Sequence, residues 1–172
     1  MFGWRTSYKK VIEKLALEAM VFDPMQAPGL AMSSKTETSH TYNSLEGMAA
    51  ILFLTHRALG VVGDSEQFNK ARHHLAGVFL SALERQYSKS EMQSLVLPLL
   101  ERRSMEYASI MNGAGDPGAQ LRQLGRAMIG RFVEDDVDDA KKGRATLFLL
   151  EKLMIEPGKK LKASNEAGKI RW

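Results

Sequence analysis

Residues 45–63, LEGMAAILFLTHRALGVVG, are apolar around nearly the whole circumference of a helix. A helix of that kind has to be wrapped by other elements, because water on any side would meet apolar surface. Glu46, His56 and Arg57 interrupt the run, so it lacks the roughly 20 uncharged apolar residues of a bilayer span. The chain therefore reads as helices packed around a central helix, with no membrane span.

The flanking segments supply the wrapping. Tyr8, Val11, Ile12, Leu15, Ala19 and Phe22 recur at helical spacing, as do Phe68, Ala71, Leu75, Val78, Phe79 and Ala82. A fourth helix is expected over about 90–111, kinked or broken at Pro98. Asp116-Pro117 is a helix start, and the fifth helix carries Leu121, Leu124, Met128 and Ile129. The sixth is expected from about Asp136 to Ile155, stopping at Glu156-Pro157-Gly158. No strand alternation and no internal repeat occur. The fold class is all-α: about six helices in an irregular bundle, with a long irregular segment, residues 24–44, after the first helix. That segment could wrap the core through Met25, Leu30 and Met32.

The 172 residues fit one domain, which can bury about 70 % of its unfolded surface. We place the domain at 1–158 and a basic tail at 159–172. The tail holds Lys159, Lys160, Lys162, Lys169 and Arg171 against the single acid Glu166, which equals the +4 net charge of the whole chain. The tail either folds back, anchored by Trp172, or reaches an acidic partner or phosphates. Five cations without an aromatic stacking platform favour protein contact over nucleic acid. The chain has no cysteine, so disulfides, thiolate metal sites and cysteine nucleophiles are excluded. That absence, with an N-terminus lacking an apolar secretory core, reads as cytoplasmic.

The stretch FVEDDVDDAKKGR, residues 132–144, concentrates acids before cations. Acids at a helix start cap free N–H groups and face the positive end of the dipole. Asp138 and Asp139 are then expected to pair with Lys142. A divalent-metal site is the sharper alternative, although the glycine and spaced glutamate of a calcium loop are missing. Glu37 and His40 stand three apart as in di-iron bundles, but only once. His73 is expected on a solvent face and His56 late in the central helix. No cofactor and no metal are expected.

Arg103 and Glu106 project near the apolar face of the fourth helix and can pair. Buried charges need partners, so they mark either an internal ion pair or a polar anchor in a ligand pocket. Leu149 and Leu153 fall outside the face defined by Leu147, Phe148, Leu150 and Met154, which predicts an interface and a homodimer. No P-loop, nucleophile elbow or zinc-protease motif is present. The leading reading is a non-catalytic helical interaction protein that binds another protein and self-associates. The alternatives are nucleic-acid or anionic-surface binding through the tail, and a small-ligand or metal site within the bundle.

Overall fold

The computed structural model describes residues 5–22, 40–131 and 138–172, and the side chains of 40–44 are not among the features described. The fold is all-α. Helices α1 (Tyr8–Met20), α2 (His40–Ala58) and α3 (Ser65–Leu83) are followed by α4 over residues 89–112, α5 (Pro117–Met128) and α6 over residues 139–166. Two short strands, β1 (Thr6–Ser7) and β2 (Ile170–Arg171), pair in parallel.

Local chemistry sets the helix starts. Asp64 accepts from the Gln67 N–H at 2.8 Å. Ser88 and Glu91 form a reciprocal capping box. Asp116 accepts from the Ala119 N–H at 2.8 Å. Asp138 accepts from the Lys141 N–H at 2.7 Å, so α6 begins at Asp139, three residues later than expected. The rest of the acidic cluster, Glu134 to Val137, lies outside the described residues, as does residue Glu37 with the segment 23–39.

Helix α2 is the centre of the core. Leu45, Ala49, Ala50, Ile51, Phe53, Leu54 and Ala58 are all buried. Ile12 and Ala16 of α1, Leu75 and Phe79 of α3, Tyr107 of α4, Met128 of α5 and Leu149 and Leu153 of α6 close around it. A second apolar cluster joins Leu45, Leu83, Met92, Val96 and Leu99 at one end.

Two prolines inside helices are handled in one way. At Pro98 the helix continues, because Met92–Val96 widens to a π turn in which the Leu97 N–H donates to the Met92 carbonyl. At Pro157, Glu151–Ile155 does the same, with Glu156 N–H to Glu151 C=O. A proline ring clashes with the carbonyl one turn back, and one turn of i→i+5 bonding relieves that clash while keeping the bonds.

The helix stop expected at Glu156-Pro157-Gly158 is therefore corrected: α6 runs through it to Glu166. It ends in a Schellman cap, where Gly168 has φ +64, its N–H donates to Asn165 C=O at 2.9 Å, and Lys169 N–H donates to Ser164 C=O at 3.0 Å. Beyond the cap, Thr6 pairs with Ile170 and Ser7 with Arg171. Trp172 stacks on Tyr8 with centroids 5.6 Å apart and donates from Nε1 to Asn165 Oδ1 at 2.7 Å. Leu161 and Ile170 are buried. Residues 159–172 are thus a helix end and a strand laid against α1.

Candidate functional site

Leu149 and Leu153, expected at an exposed interface, are 1 % and 3 % exposed and belong to the core, whereas Leu147 is 52 % exposed. The sequence face was drawn a residue or two out of phase, and the π turn at 151–155 shifts it further. Among the described residues, no group of three or more His, Asp or Glu is arranged to hold a metal. No helix among them is long and apolar enough to cross a membrane.

Arg103 and Glu106 meet, with Arg103 Nη1 donating to Glu106 Oε2 at 3.1 Å. The stronger partner of Arg103 is Glu46 of α2, gripped by two bonds: Nε to Oε2 at 2.7 Å and Nη2 to Oε1 at 2.5 Å. Arg131 closes the chain of charges through Nη2 to Glu106 Oε1 at 2.6 Å. The Glu46 side chain is fully buried and that of Arg103 is 11 % exposed. The hydrogen bonds that Arg103 donates to Glu46 push its pKa further up and keep the guanidinium charged against the cost of burial. Two carboxylates and two guanidiniums cancel, and all four carboxylate oxygens are taken by guanidinium donors. This arrangement fixes α2, α4 and the turn after α5 to one another, and it leaves no free base.

Tyr107 lies beside the network, wholly buried and edge-on to Phe53. Burial pushes its phenol pKa well up, partly countered by Arg131. Tyr107 Oη and Arg131 Nη1 are buried without a hydrogen-bond partner among the described residues.

The histidines are dispersed. His74 Nε2 lies 3.0 Å from Glu13 Oε1, with its ring edge-on to Tyr8. His73 is exposed as expected. His56 packs edge-on against Phe68; burial first, then Arg72 and Arg57, lower its pKa. The side chain of His40 is outside the described features. Of the expected pairs in the acidic stretch, Asp138 meets Lys141 at 3.9 Å and Asp139 takes Arg126 instead of Lys142.

A groove of about 400 Å³ runs between α1 and α6. Val11, Leu15, Phe22, Leu153, Pro157 and Leu161 form its floor. Its rims are two rows at i, i+4 spacing: Lys10, Lys14 and Glu18 on α1, and Lys152, Glu156 and Lys160 on α6. Lys14 pairs with Glu18 at 3.7 Å and Lys152 with Glu156 at 2.6 Å. Lys10 and Lys160 form no ion pair among the described residues. The other tail cations are spread out. Lys159 lies 4.0 Å from Glu151, Lys162 lies 3.8 Å from Glu166, Lys169 directly precedes β2 and Arg171 lies within it. Sequence reasoning missed this groove because it treated α1 and the tail as separate elements. The signal was present in the matching rows of lysines four and eight apart.

No protein-family model matches the chain, and no curated protein or solved structure matches it either.

Proposed function

We propose that the chain is a protein-binding module whose groove between α1 and α6 receives an acidic, amphipathic helical segment of a partner protein. The observation that carries this reading is the apolar floor beneath a rim where Lys10 and Lys160 form no ion pair among the described residues. Helix-in-groove recognition needs an apolar slot for residues on one helix face, with charge at the edges to set the register. The apolar floor favours a protein segment over nucleic acid, which is held by a cationic track with stacking aromatics. The tail's one aromatic, Trp172, already stacks on Tyr8. The expected self-association loses its motivation with Leu149 and Leu153 in the core. A cytoplasmic location remains part of the reading, resting on the cysteine-free composition.

The test is titration of isotope-labelled protein with a synthetic Leu/Glu amphipathic helix of about two to four turns. Saturable, salt-weakened binding that moves the amide signals of Val11, Leu15, Phe22, Lys160 and Leu161 supports the reading. Absence of binding overturns it, as does binding that moves only Lys169 and Arg171. If decanoate saturates the groove while the peptide does not, the occupant is a small anionic amphiphile and the protein-partner reading fails.

A further inference from the structure

The groove is asymmetric along its length, and the asymmetry specifies how a partner helix lies in it. The parallel pairing of Thr6 with Ile170 and Ser7 with Arg171 sets the start of α1 beside the end of α6. The two helices therefore run in opposite directions along the groove. Lys10 on one rim and Lys160 on the other fall at the strand end, together with the hydroxyls of Thr6 and Ser164. At the middle and far end the rim charges are internally matched, Lys14 with Glu18 and Lys152 with Glu156. The strand end thus carries two cations without an ion pair among the described residues, and the rest of the rim sums to zero charge. The first turn of α1 adds to this: it holds no acidic residue, and Ser7 makes no side-chain cap, so no carboxylate in that turn offsets the positive end of the α1 dipole.

A helix offers its negative dipole end at its C-terminus. Taking the groove as the protein-binding site proposed above, we infer that the partner segment docks in one direction, with a C-terminal turn rich in Asp and Glu against Lys10 and Lys160. From Lys10 to Glu18 the rim spans eight residues of α1, about 12 Å at 1.5 Å per residue. That accommodates about two turns of the partner, so the recognised pattern is three apolar residues at i, i+3 or i+4, and i+7, followed by two or three carboxylates. Reversed, the same segment places its carboxylates over rims already neutral and its positive dipole end against the two lysines.

The experiment compares two labelled peptides of identical composition and apolar spacing, one with its acids in the last turn and one with them in the first. The first is expected to bind about tenfold more tightly, the scale of two partly screened charge contacts plus a dipole. The double variant Lys10→Glu, Lys160→Glu alters only exposed side chains, so its helical spectrum and melting are expected to match the parent's. It is expected to lose the preference and to regain it for a peptide with lysines in the last turn. A nitroxide at the peptide C-terminus should broaden the amide signals of Lys10 and Lys160 rather than those of Glu18 and Lys152. Equal affinity of the two peptides, or broadening at Glu18 and Lys152, overturns the direction while leaving the groove as the site. Failure of both peptides to bind overturns the groove reading itself.

Discussion

The charge network around Glu46 gives the sharpest test of the energetics. The Glu46 side chain is fully buried and both its oxygens are held by Arg103, which is itself 11 % exposed. Arg103→Ala leaves a carboxylate in the core with no donor. Glu46→Ala leaves Arg103 with Glu106 alone, at 3.1 Å and on a partly exposed side chain. Breaking a buried pair from one side costs about 3–5 kcal/mol, since the stranded charge keeps its desolvation penalty. Arg103→Ala should sit at the upper end of that range and Glu46→Ala at the lower, because Glu46 has no second partner and Arg103 does. Replacing both by apolar residues of similar length, Glu46→Leu with Arg103→Met, removes both penalties. Such replacements of buried pairs are often neutral or stabilising, although here Glu106 loses one of its two donors and retains Arg131. The double variant should therefore unfold within about 1 kcal/mol of the parent, giving a coupling of several kcal/mol in a double-mutant cycle. Urea unfolding followed by circular dichroism measures each midpoint, and with unchanged slopes the shifts convert to free energy. If Arg103→Ala unfolds at the parent's midpoint, Glu46 is not buried as described. If the double variant is as unstable as the sum of the singles, the network contributes stability in its own right and the desolvation argument is refuted.

Three further outcomes are expected. A Cβ at Gly125 would meet Thr146 Oγ1 at 3.1 Å and the Lys142 carbonyl at 3.3 Å, so Gly125→Ala should destabilise by about 1–2 kcal/mol, the helix propensity gained offsetting part of the overpacking; a melting temperature above the parent's would show that α5 and α6 are free to separate. Tyr107→Phe deletes a buried hydroxyl that has no partner among the described residues, so at neutral pH it should be neutral or slightly stabilising. The raised Tyr107 pKa means that the parent is fully stabilised below the ordinary value of 10 and loses stability as pH rises above it; a phenylalanine variant with the same alkaline limb in pH-dependent melting would refute that assignment. Truncation after Gly158 removes buried Leu161 and Ile170 and the Trp172–Tyr8 stack, about 5 kcal/mol by apolar burial alone and a large share of the stability of an ordinary domain; a truncated chain that unfolds like the parent would support a domain boundary at Gly158 and refute this expectation.

Much of the fold was legible because most helices carry their own apolar stripe, and α3 to α6 carry their own side-chain caps. The apolar run at 45–63 pointed to a central helix, and Asp64, Ser88 and Asp116 are start signals that act within four residues of themselves. The Arg103–Glu106 pair was legible for the same reason, as both lie on one helix three residues apart. Glu46 and Arg131 were not paired with them, since those contacts span 57 and 25 residues and depend on how α4 lies across α2. Glu46 nevertheless announced a need: a lone carboxylate on a helix apolar nearly all round must find a cation, although nothing local says which one.

The tail shows where local reading fails on physical grounds. Proline after a glutamate and before a glycine is a stop signal when only the intrahelical bond and the clash with the preceding carbonyl are weighed. Two features outweigh it here. The wider π turn at Glu151–Ile155 eases the clash with the carbonyl one turn back, while the Glu156 N–H keeps a bond to the Glu151 carbonyl. Leu153 before the proline and Leu161 after it are both buried, so a break would expose apolar surface on each side of the turn. The same device at Met92–Val96 sits between buried Met92 and Leu99. In each case the proline lies in the helix where tertiary burial flanks it, which is the condition under which packing overrides a propensity of about 3 kcal/mol. The real stop is ten residues on at Gly168, where a positive φ is required and glycine supplies it. Because the helix passes Pro157, Lys160 comes to stand across from Lys10. The groove therefore depends on a proline that fails to break its helix.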